Sequence, residues 1–444
     1  MAALDDFRSL IDGAAGRRES LLALDRALQG DHELPYMPLD ERSRLQREYN
    51  ALISRAQTHI LGMIIEAQVD RLRVVGFRTD PAAGADMRVW GWWQASNLDQ
   101  KQVLLYRDSA GYGDGYLLVT PGAQSPVFTV ESPLSLSVEL DPYDPTRVAR
   151  AAKVVGDRGW LYTDAEIHEF ERTRPTMRWE AAGAIRHNGG ECPIVRYPNN
   201  LDSLGRTSSE VKQVLPIQAR INQAIFDRLL QQRSATWKQR WAVGIDVERD
   251  DAGNAVAPLE TGSDTLWINE NPDGKFGEFS ATSIEPLIQA VSADISDAAM
   301  VTRTPPTFLP QASISNVSGE ALVALEAAFT SKIAEKQSIL GESHERAMRI
   351  GGKMIGYPVP NDAETVWQDL ELRSLAQRTD SAVKLRSMGL PMRFVLESMG
   401  HSKTEIDRIL GEIQAEQRTG AAMQAAAFGV SGPQAPYDEP GAGG

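Results

Sequence analysis

From Gly319 to about Ile355 the apolar residues Leu322, Leu325, Phe329, Ile333, Leu340, Ala347 and Ile350 keep a helical period, and no proline interrupts them. At 1.5 Å per residue this predicts one rod of about 50 Å, with Gly341 as the place for a bend. A stripe of that length cannot be buried by the helix itself. It needs neighbours along its whole length, and the rest of the chain must supply them.

The chain has 444 residues, which suggests roughly three structural units rather than one compact enzyme domain. Its 42% apolar and 24% charged residues suit a water-soluble protein with a large core. No run approaches the ~18 apolar residues of a membrane span, and Met1-Ala2-Ala3-Leu4-Asp5-Asp6 lacks a basic region leading into an apolar one. The expectation is a protein neither exported nor membrane-bound. Cys192 is the single cysteine, so an intrachain disulfide and a thiolate metal cluster are excluded within one chain. The 46 Lys and Arg against 60 Asp and Glu give a net charge of −14, the reverse of a tight phosphate-backbone binder.

The first 80 or so residues read as helical, with Leu21, Leu24 and Leu28 on one stripe, Ile53, Ile60, Ile64 and Leu72 on another, and a break at Gly30 to Pro35. From Met87 to about Arg196 the texture is β-rich, with runs at Val103–Tyr106, Tyr116–Val119 and Val127–Val130, giving an α+β region. Thr207-Ser208-Ser209-Glu210 has the form of a capping box, predicting a helix from there to about Ser234 that Pro216 kinks or restarts. Strand-like runs at Trp241–Ile245 and Thr265–Ile268 flank the acidic turn Asp250–Asn254. A second helix starts near Ser283, takes Pro286 in its first turn and carries Ile288, Val291, Ile295 and Ala299. It stops at Thr304-Pro305-Pro306, and the loop from Thr304 to Ser318 is long for a compact domain. After Tyr357-Pro358 comes a smaller helical unit, with a second capping box at Ser402-Lys403-Thr404-Glu405. The Ala-, Gly- and Pro-rich end from about Arg418 reads as disordered.

Catalytic patterns are weak throughout. There is no Gly-x4-Gly-Lys-Ser/Thr loop, and Gly111-Tyr112-Gly113-Asp114-Gly115 reads as a hairpin turn. His344-Glu345 lacks a second histidine because Met348 stands four residues on, and Ser209-x-x-Lys212 lacks the partner motifs of penicillin-recognising enzymes. Cys192 reads as a buried structural thiol. Trp90, Trp92 and Trp93 suit a packed strand better than base stacking. Asp246, Glu248, Asp250 and Asp251 read as a solvated acidic hairpin rather than a cation site. No catalytic, cofactor or metal residue is assigned.

Several segments taken in order carry a resemblance: Gln68-Val69-Asp70-Arg71-Leu72 with Gly76-Phe77, Ala110-Gly111-Tyr112-Gly113, Pro133-Leu134-Ser135 followed by Val148-Ala149-Arg150-Ala151, Pro193-Ile194-Val195, and Ser209-Glu210-Val211 ahead of Asn222. With the order of elements, they resemble the portal proteins of long-tailed bacteriophages over about residues 20 to 415. The resemblance implies a mostly helical α+β portal fold with wing, stem, clip and crown regions, assembling as a ring, usually a dodecamer. It divides the chain into wing 1–206, first stem helix 207–237, clip 238–281, second stem helix 282–303, tunnel loop 304–318, long wing helix 319–357, crown 358–418 and a disordered tail 419–444.

On the same terms the protein sits at the capsid portal vertex of the virion, and in host cytoplasm during assembly. Its implied partners are double-stranded DNA, terminase, major capsid and scaffold proteins and a head-to-tail adaptor, with no membrane. The expected DNA-channel loop residues are Thr304, Pro305, Pro306, Thr307, Phe308, Leu309, Gln311, Ser313, Ser315 and Asn316, several of them neutral and polar. The channel-lining helix would present Glu285, Asp294 and Asp297, whose rings repel phosphate, and Arg303, which attracts it. The alternative for these charges is salt bridging between adjacent subunits. Terminase or adaptor docking falls to Arg240, Glu248, Asp250, Asp251 and Lys275. A capsid or tail subunit without a DNA role and an intracellular hydrolase with a helical cap remain alternatives.

Because the chain lacks a phosphate loop, the pure protein is expected to hydrolyse no ATP above background in a coupled phosphate-release assay. Steady turnover abolished by a point substitution in this chain would overturn the non-enzyme reading.

Overall fold

A computed structural model describes residues 2–44, 46–80, 86–173, 177–236, 240–243, 273–278, 283–309, 319–370, 375–399, 401 and 403–427. In chain order the elements are α1 (Ala2–Gly13), α2 (Ala15–Leu28), α3 (Leu39–Arg44), α4 (Gln46–Leu52), α5 (Leu61–Val69), β1 (Val74–Arg78), α6 (Met87–Ala95), α7 (Leu98–Tyr112), β2 (Asp114–Thr120), β3 (Val127–Glu131), β4 (Leu136–Leu140), β5 (Val148–Val155), β6 (Arg158–Tyr162), β7 (Glu166–Thr173), β8 (Arg178–Arg186) and β9 (Ile194–Pro198). Then follow α8 (Leu215–Thr236), β10 (Arg240–Val243), β11 (Lys275–Glu278), α9 (Glu285–Thr302), α10 (Gly319–Met354), β12 (Glu364–Trp367), α11 (Leu375–Ser387), α12 (Met392–Ser398) and α13 (Lys403–Ala427). The fold is α+β. Two compact units result instead of three: Met1–Leu22 with Ile65–Glu210 and Glu326–Gly444, and Ala23–Ile64 with Val211–Leu325.

In the first unit, β4-β5-β6-β7-β8 form an antiparallel five-stranded sheet and β3-β2-β9 a three-stranded one. Strand alternation gives the larger sheet two apolar faces. One packs Leu136, Ala151, Tyr162 and Ile167 against Tyr116, Leu118, Cys192 and Ile194. The other packs Ala152, Leu161, Phe170 and Trp179 around Phe7 of α1. Phe7 stacks on Phe170 at 4.5 Å and meets the edge of Trp179 at 5.2 Å. Gly159 is small for this reason: a Cβ there would lie 2.3 Å from the Phe7 ring.

Three readings from local pattern are corrected here. Val103–Tyr106, expected as a strand, lies inside α7, whose buried Leu98, Gln102, Leu105, Tyr106 and Ser109 keep helical spacing. The tryptophan run lies on a helix, α6, capped by Asp86, whose Oδ1 accepts from the amides of Arg88 and Val89 at 2.8 and 3.2 Å. Trp92 and Trp93 point into the core. The glycine run is no hairpin but the corner from α7 into β2, where Gly113 takes φ +94° and closes α7 by donating to Ser109 O at 2.9 Å.

The long rod is present as α10, 36 residues or about 54 Å. Within the first unit its buried side chains include Phe329, Ile333, Leu340, Ala347 and Ile350. His344 is fully buried, with Tyr106 Oη 2.6 Å from Nε2 and Tyr197 Oη 3.0 Å from Nδ1. Beyond α10 the chain is not purely helical, since β12 pairs antiparallel with β1, Val74 opposite Trp367. The last helix α13 runs to Ala427, so part of the expected disordered tail is helical. Its alanine content favours helix at least as well as it signals low complexity. Residues 428–444, and Ser402 of the expected second cap, lie outside the described residues.

In the second unit α8 and α9 run antiparallel, because Arg220 near the start of α8 meets Asp294 and Asp297 late in α9 while Gln231 reaches Ser283. Ile217, Ile221, Ile225 and Phe226 of α8 and Val291, Ile295, Ala298 and Ala299 of α9 are buried. β10 and β11 form a separate two-stranded ribbon, Arg240 opposite Glu278 and Val243 opposite Lys275, outside the sheets of the first unit. The expected strand at Thr265–Ile268 lies outside the described residues.

Replacing Phe7 by alanine empties the pocket between α1 and the sheet and is expected to cost about 3–5 kcal/mol. Denaturant unfolding measures it; a loss under about 1 kcal/mol would show that α1 contributes little to this core.

Candidate functional site

The expected channel helix is α9, and its charges are not free rings of acid. The Arg220 guanidinium donates to Asp294 Oδ1 through Nε and Nη2 at 2.9 and 2.6 Å, and through Nη2 to Asp297 Oδ2 at 3.3 Å. The two aspartates, three residues apart, share one face of the helix, and one arginine of the same chain serves both. Glu285 sits in the first turn at the far end, 3.5 Å from the Gln289 amide. Arg303 closes the helix in a left-handed conformation, φ +53°, with its side chain exposed.

The expected loop begins folded rather than open. Thr304 N donates to Ala299 O at 2.9 Å, the Thr302 and Thr304 hydroxyls lie 2.9 Å apart, and Pro306–Phe308 form a 3-10 turn. Thr304, Pro305 and Leu309 are buried, Pro306 and Phe308 half-buried and Thr307 exposed. Gln311, Ser313, Ser315 and Asn316 lie outside the described residues. So do Glu248, Asp250 and Asp251 of the docking set, together with Asp246; Arg240 and Lys275 each open a strand of the β10–β11 ribbon.

Sequence reasoning missed a buried charge cluster where the segment 199–210 meets α10. Glu210 accepts from Lys332 and Lys336, Lys336 donates to Asn199 Oδ1, and the Asn200 amide reaches Glu210 at 3.3 Å. Burial pushes the Glu210 pKa up, but Lys336 and Lys332 outweigh it and hold the carboxyl at about 2. Nearby, Arg196 donates to Asp114 at 2.7 Å and to Thr207 Oγ1 at 3.1 Å, and Thr207 in turn donates to Asp114 at 3.0 Å. Both capping-box side chains are therefore engaged in long-range contacts, and the predicted helix start at 207 is wrong. Helix α8 begins at Leu215 with Pro216 in its first turn, where proline lacks no needed hydrogen bond.

The nucleophile candidates are occupied structurally. The buried Cys192 thiol is pushed up to about 12 by desolvation. His344, likewise buried, is held down to about 3 and so is neutral between its two tyrosines. Ser209 is buried while Lys212 is exposed, so the Ser-x-x-Lys spacing makes no pair. Among the described residues no group of three histidine, cysteine or carboxylate side chains is placed to hold a metal ion, and no described helix is long and apolar enough to cross a membrane.

The described residues make a paired-helix hairpin bearing a β ribbon, a long helix and a two-sheet body, and the polar clusters named above are engaged in packing. Residues 8–419 match the phage portal protein family of the SPP1 Gp6-like type, and the chain belongs to it. It is a structural, non-enzymatic phage portal protein. The portal protein of Mycobacterium phage D29 is 29% identical over 379 residues, covering 77% of this chain and 76% of the relative. That of Mycobacterium phage L5 is 29% identical over 376 residues, with the same coverage of 77% and 76%. Among solved structures, a chain from the neck of an empty gene transfer agent particle computed with C6 symmetry aligns at TM-score 0.48 and 13% identity, covering 83% of this chain and 95% of the other. One from the native neck computed with C12 symmetry gives TM-score 0.44 and 13% identity, covering 84% and 97%.

Glu210→Gln leaves two buried lysines short of their anion and is expected to destabilise the fold by about 3–5 kcal/mol. Because the folded pKa is depressed from 4.5 to about 2, the wild-type contribution is complete above pH 4.5 and is lost as pH falls through 2. Urea unfolding of both proteins between pH 7 and 3 checks this. A gap that does not narrow on acidification would sever Glu210 from the acid response.

Proposed function

We propose that copies of this chain close into a ring, a dodecamer, at the capsid vertex, and that phage DNA enters and leaves through its axis. The observation that carries the reading is the antiparallel α8–α9 pair with the β10–β11 ribbon between its ends, in a chain of the portal family. On this reading residues 207–237 and 282–303 are the stem, 238–281 the clip, 1–206 with 319–357 the wing, and 358–418 the crown. The clip, with Arg240 at the α8 end of its ribbon and Lys275 at the other, docks the terminase during packaging and a head-to-tail adaptor afterwards. Major capsid and scaffold proteins surround the ring during assembly.

The charge pattern supports a channel that does not grip. The net charge is −14, α9 carries Glu285, Asp294 and Asp297 with no basic residue before Arg303, and Arg220 offsets part of that acid. A weak, net repulsive wall lets a polyanion slide, whereas a basic wall would hold it through counterion release. The segment 304–318, with its neutral Thr307, Gln311, Ser313, Ser315 and Asn316, is the part assigned to touch DNA.

Electron microscopy of the purified protein tests the ring, which should appear with an open pore. Deleting Phe308 to Asn316 should leave rings intact while packaging or DNA retention fails. Gln311→Lys, repeated around the ring, should slow packaging in a salt-sensitive way. Normal packaging and retention by particles built with the deletion would remove this loop from the mechanism.

A further inference from the structure

The five-stranded sheet β4-β5-β6-β7-β8 ends on two strands of opposite character. At one end, β8 is nine residues long, and past Trp179 every residue from Glu180 to Arg186 is exposed on both faces. Its middle, Ala181-Ala182-Gly183-Ala184-Ile185, contains no charge and no proline, and Ile185 is 53% exposed. Trp179 O accepts from the Arg8 guanidinium at 3.3 Å. Beyond it, among the described residues, no backbone outside the sheet bonds to 180–186. Soluble proteins blunt such an edge with lysine, proline, inward charge or brevity. Here only the shift of register opposite Glu169 and Phe170, which leaves Ala182 as a bulge, interrupts it.

At the other end, β4 is five residues long and acidic. Glu139 is exposed, and the following turn holds Asp141 and Asp144, with Tyr143 97% exposed. Asp141 Oδ1 accepts from the Tyr143 amide at 2.8 Å, which fixes the turn and the outward aim of the tyrosine. β8, by contrast, is flanked by the exposed Arg178 and Arg186. Pairing of β8 with itself about a two-fold axis would set Arg178 of one copy against Arg186 of the other, and like charges directly opposite are unfavourable. Pairing of β8 with β4 avoids that opposition, while Arg186 keeps Glu166 at 3.3 Å, Glu139 keeps Arg150 at 2.6 Å and Asp144 keeps Arg346 at 3.5 Å within each copy.

We propose that β8 of one copy adds to β4 of a neighbouring copy, so that the five-stranded sheet continues across each subunit boundary. The inference rests on the ring reading above, because a head-to-tail contact brings unlike edges together and repeats around the axis. Main-chain hydrogen bonds along residues 180–186 supply the attachment, as in strand addition generally. The unlike edges of a head-to-tail contact set its direction, and Tyr143, held outward beside β4, is the aromatic anchor.

The test places Ser137→Cys and Ala184→Cys in one chain, with each single variant as control, and treats assembled particles with a short bis-maleimide. The native Cys192 is buried, with its thiol pushed up to about 12, and stays silent. The double variant should give a ladder of covalent multimers on a denaturing gel, and each single variant only monomer. Dimers from Ala184→Cys alone would overturn the proposal in favour of β8–β8 pairing. Rings by electron microscopy without a ladder would overturn it while leaving the ring reading standing; wild-type protein that never forms rings sinks both. Independently, Ala182→Glu with Ala184→Glu should abolish rings while the monomer keeps the wild-type thermal midpoint. Undiminished ring yield from that folded variant would remove β8 from the interface, and if it fails to fold the cross-linking pair decides.

Discussion

Two lysines one turn apart on α10 share the buried carboxylate of Glu210, and the first unit is arranged so that this can happen. Taking three charges out of water costs several kcal/mol per ion, which is recovered only where every acceptor and donor is met at good geometry. Both Glu210 oxygens receive a lysine, and Asn199 and Asn200 complete the set. Two turns further along the same helix, Ser343 donates to Arg196 O at 2.8 Å, and His344 lies between Tyr106 of α7 and Tyr197 of β9. An apolar stripe alone tolerates sliding of a long helix by a turn. Polar contacts at 332, 336, 343 and 344 do not, since a slip would strand buried donors and acceptors.

The same cluster explains why parts of the chain were legible in the sequence and others were not. The extent of α10 follows from its own stripe, and α9 from its stripe and first-turn proline, because both signals are local. Thr207 and Glu210 carry a local signal that loses. Their side chains are recruited by Asp114 and Arg196, 93 and 11 residues away from Thr207, and by Lys332, 122 residues away from Glu210. Val103–Tyr106 has strand-forming composition, but Leu98, Gln102, Leu105, Tyr106 and Ser109 supply a helical burial pattern that a four-residue window does not show. The single glycine signal that was read as a hairpin is a real corner, misassigned because a helix rather than a strand precedes it.

Of the expected site, the helix was legible and its electrostatics were not. Glu285, Asp294 and Asp297 are visible in the sequence as an acidic stretch, while Arg220 stands 74 and 77 residues earlier, with nothing nearby to mark it as their partner. The contact does two things at once. It ties α8 to α9 in antiparallel register, and it turns two adjacent negative charges into a site of net charge −1. Since Arg220 is 53% exposed, each pair adds at most about 1 kcal/mol to stability.

Its larger consequence is for the field in the proposed ring. Asp294 and Asp297 without Arg220 would place two unscreened carboxylates per subunit close together, and repetition about an axis would multiply the repulsion felt by an entering duplex. Replacing both aspartates with neutral residues would leave Arg220 free to attract phosphate instead. A one-to-two ratio of arginine to aspartate lies between these outcomes, acidic enough to prevent adhesion and partly neutralised so that entry is not opposed by the full charge. The pairing engages Arg220, Asp294 and Asp297 with one another inside one copy. On the proposal above, neighbouring copies meet instead through the outer edges of β8 and β4, the two end strands of the five-stranded sheet.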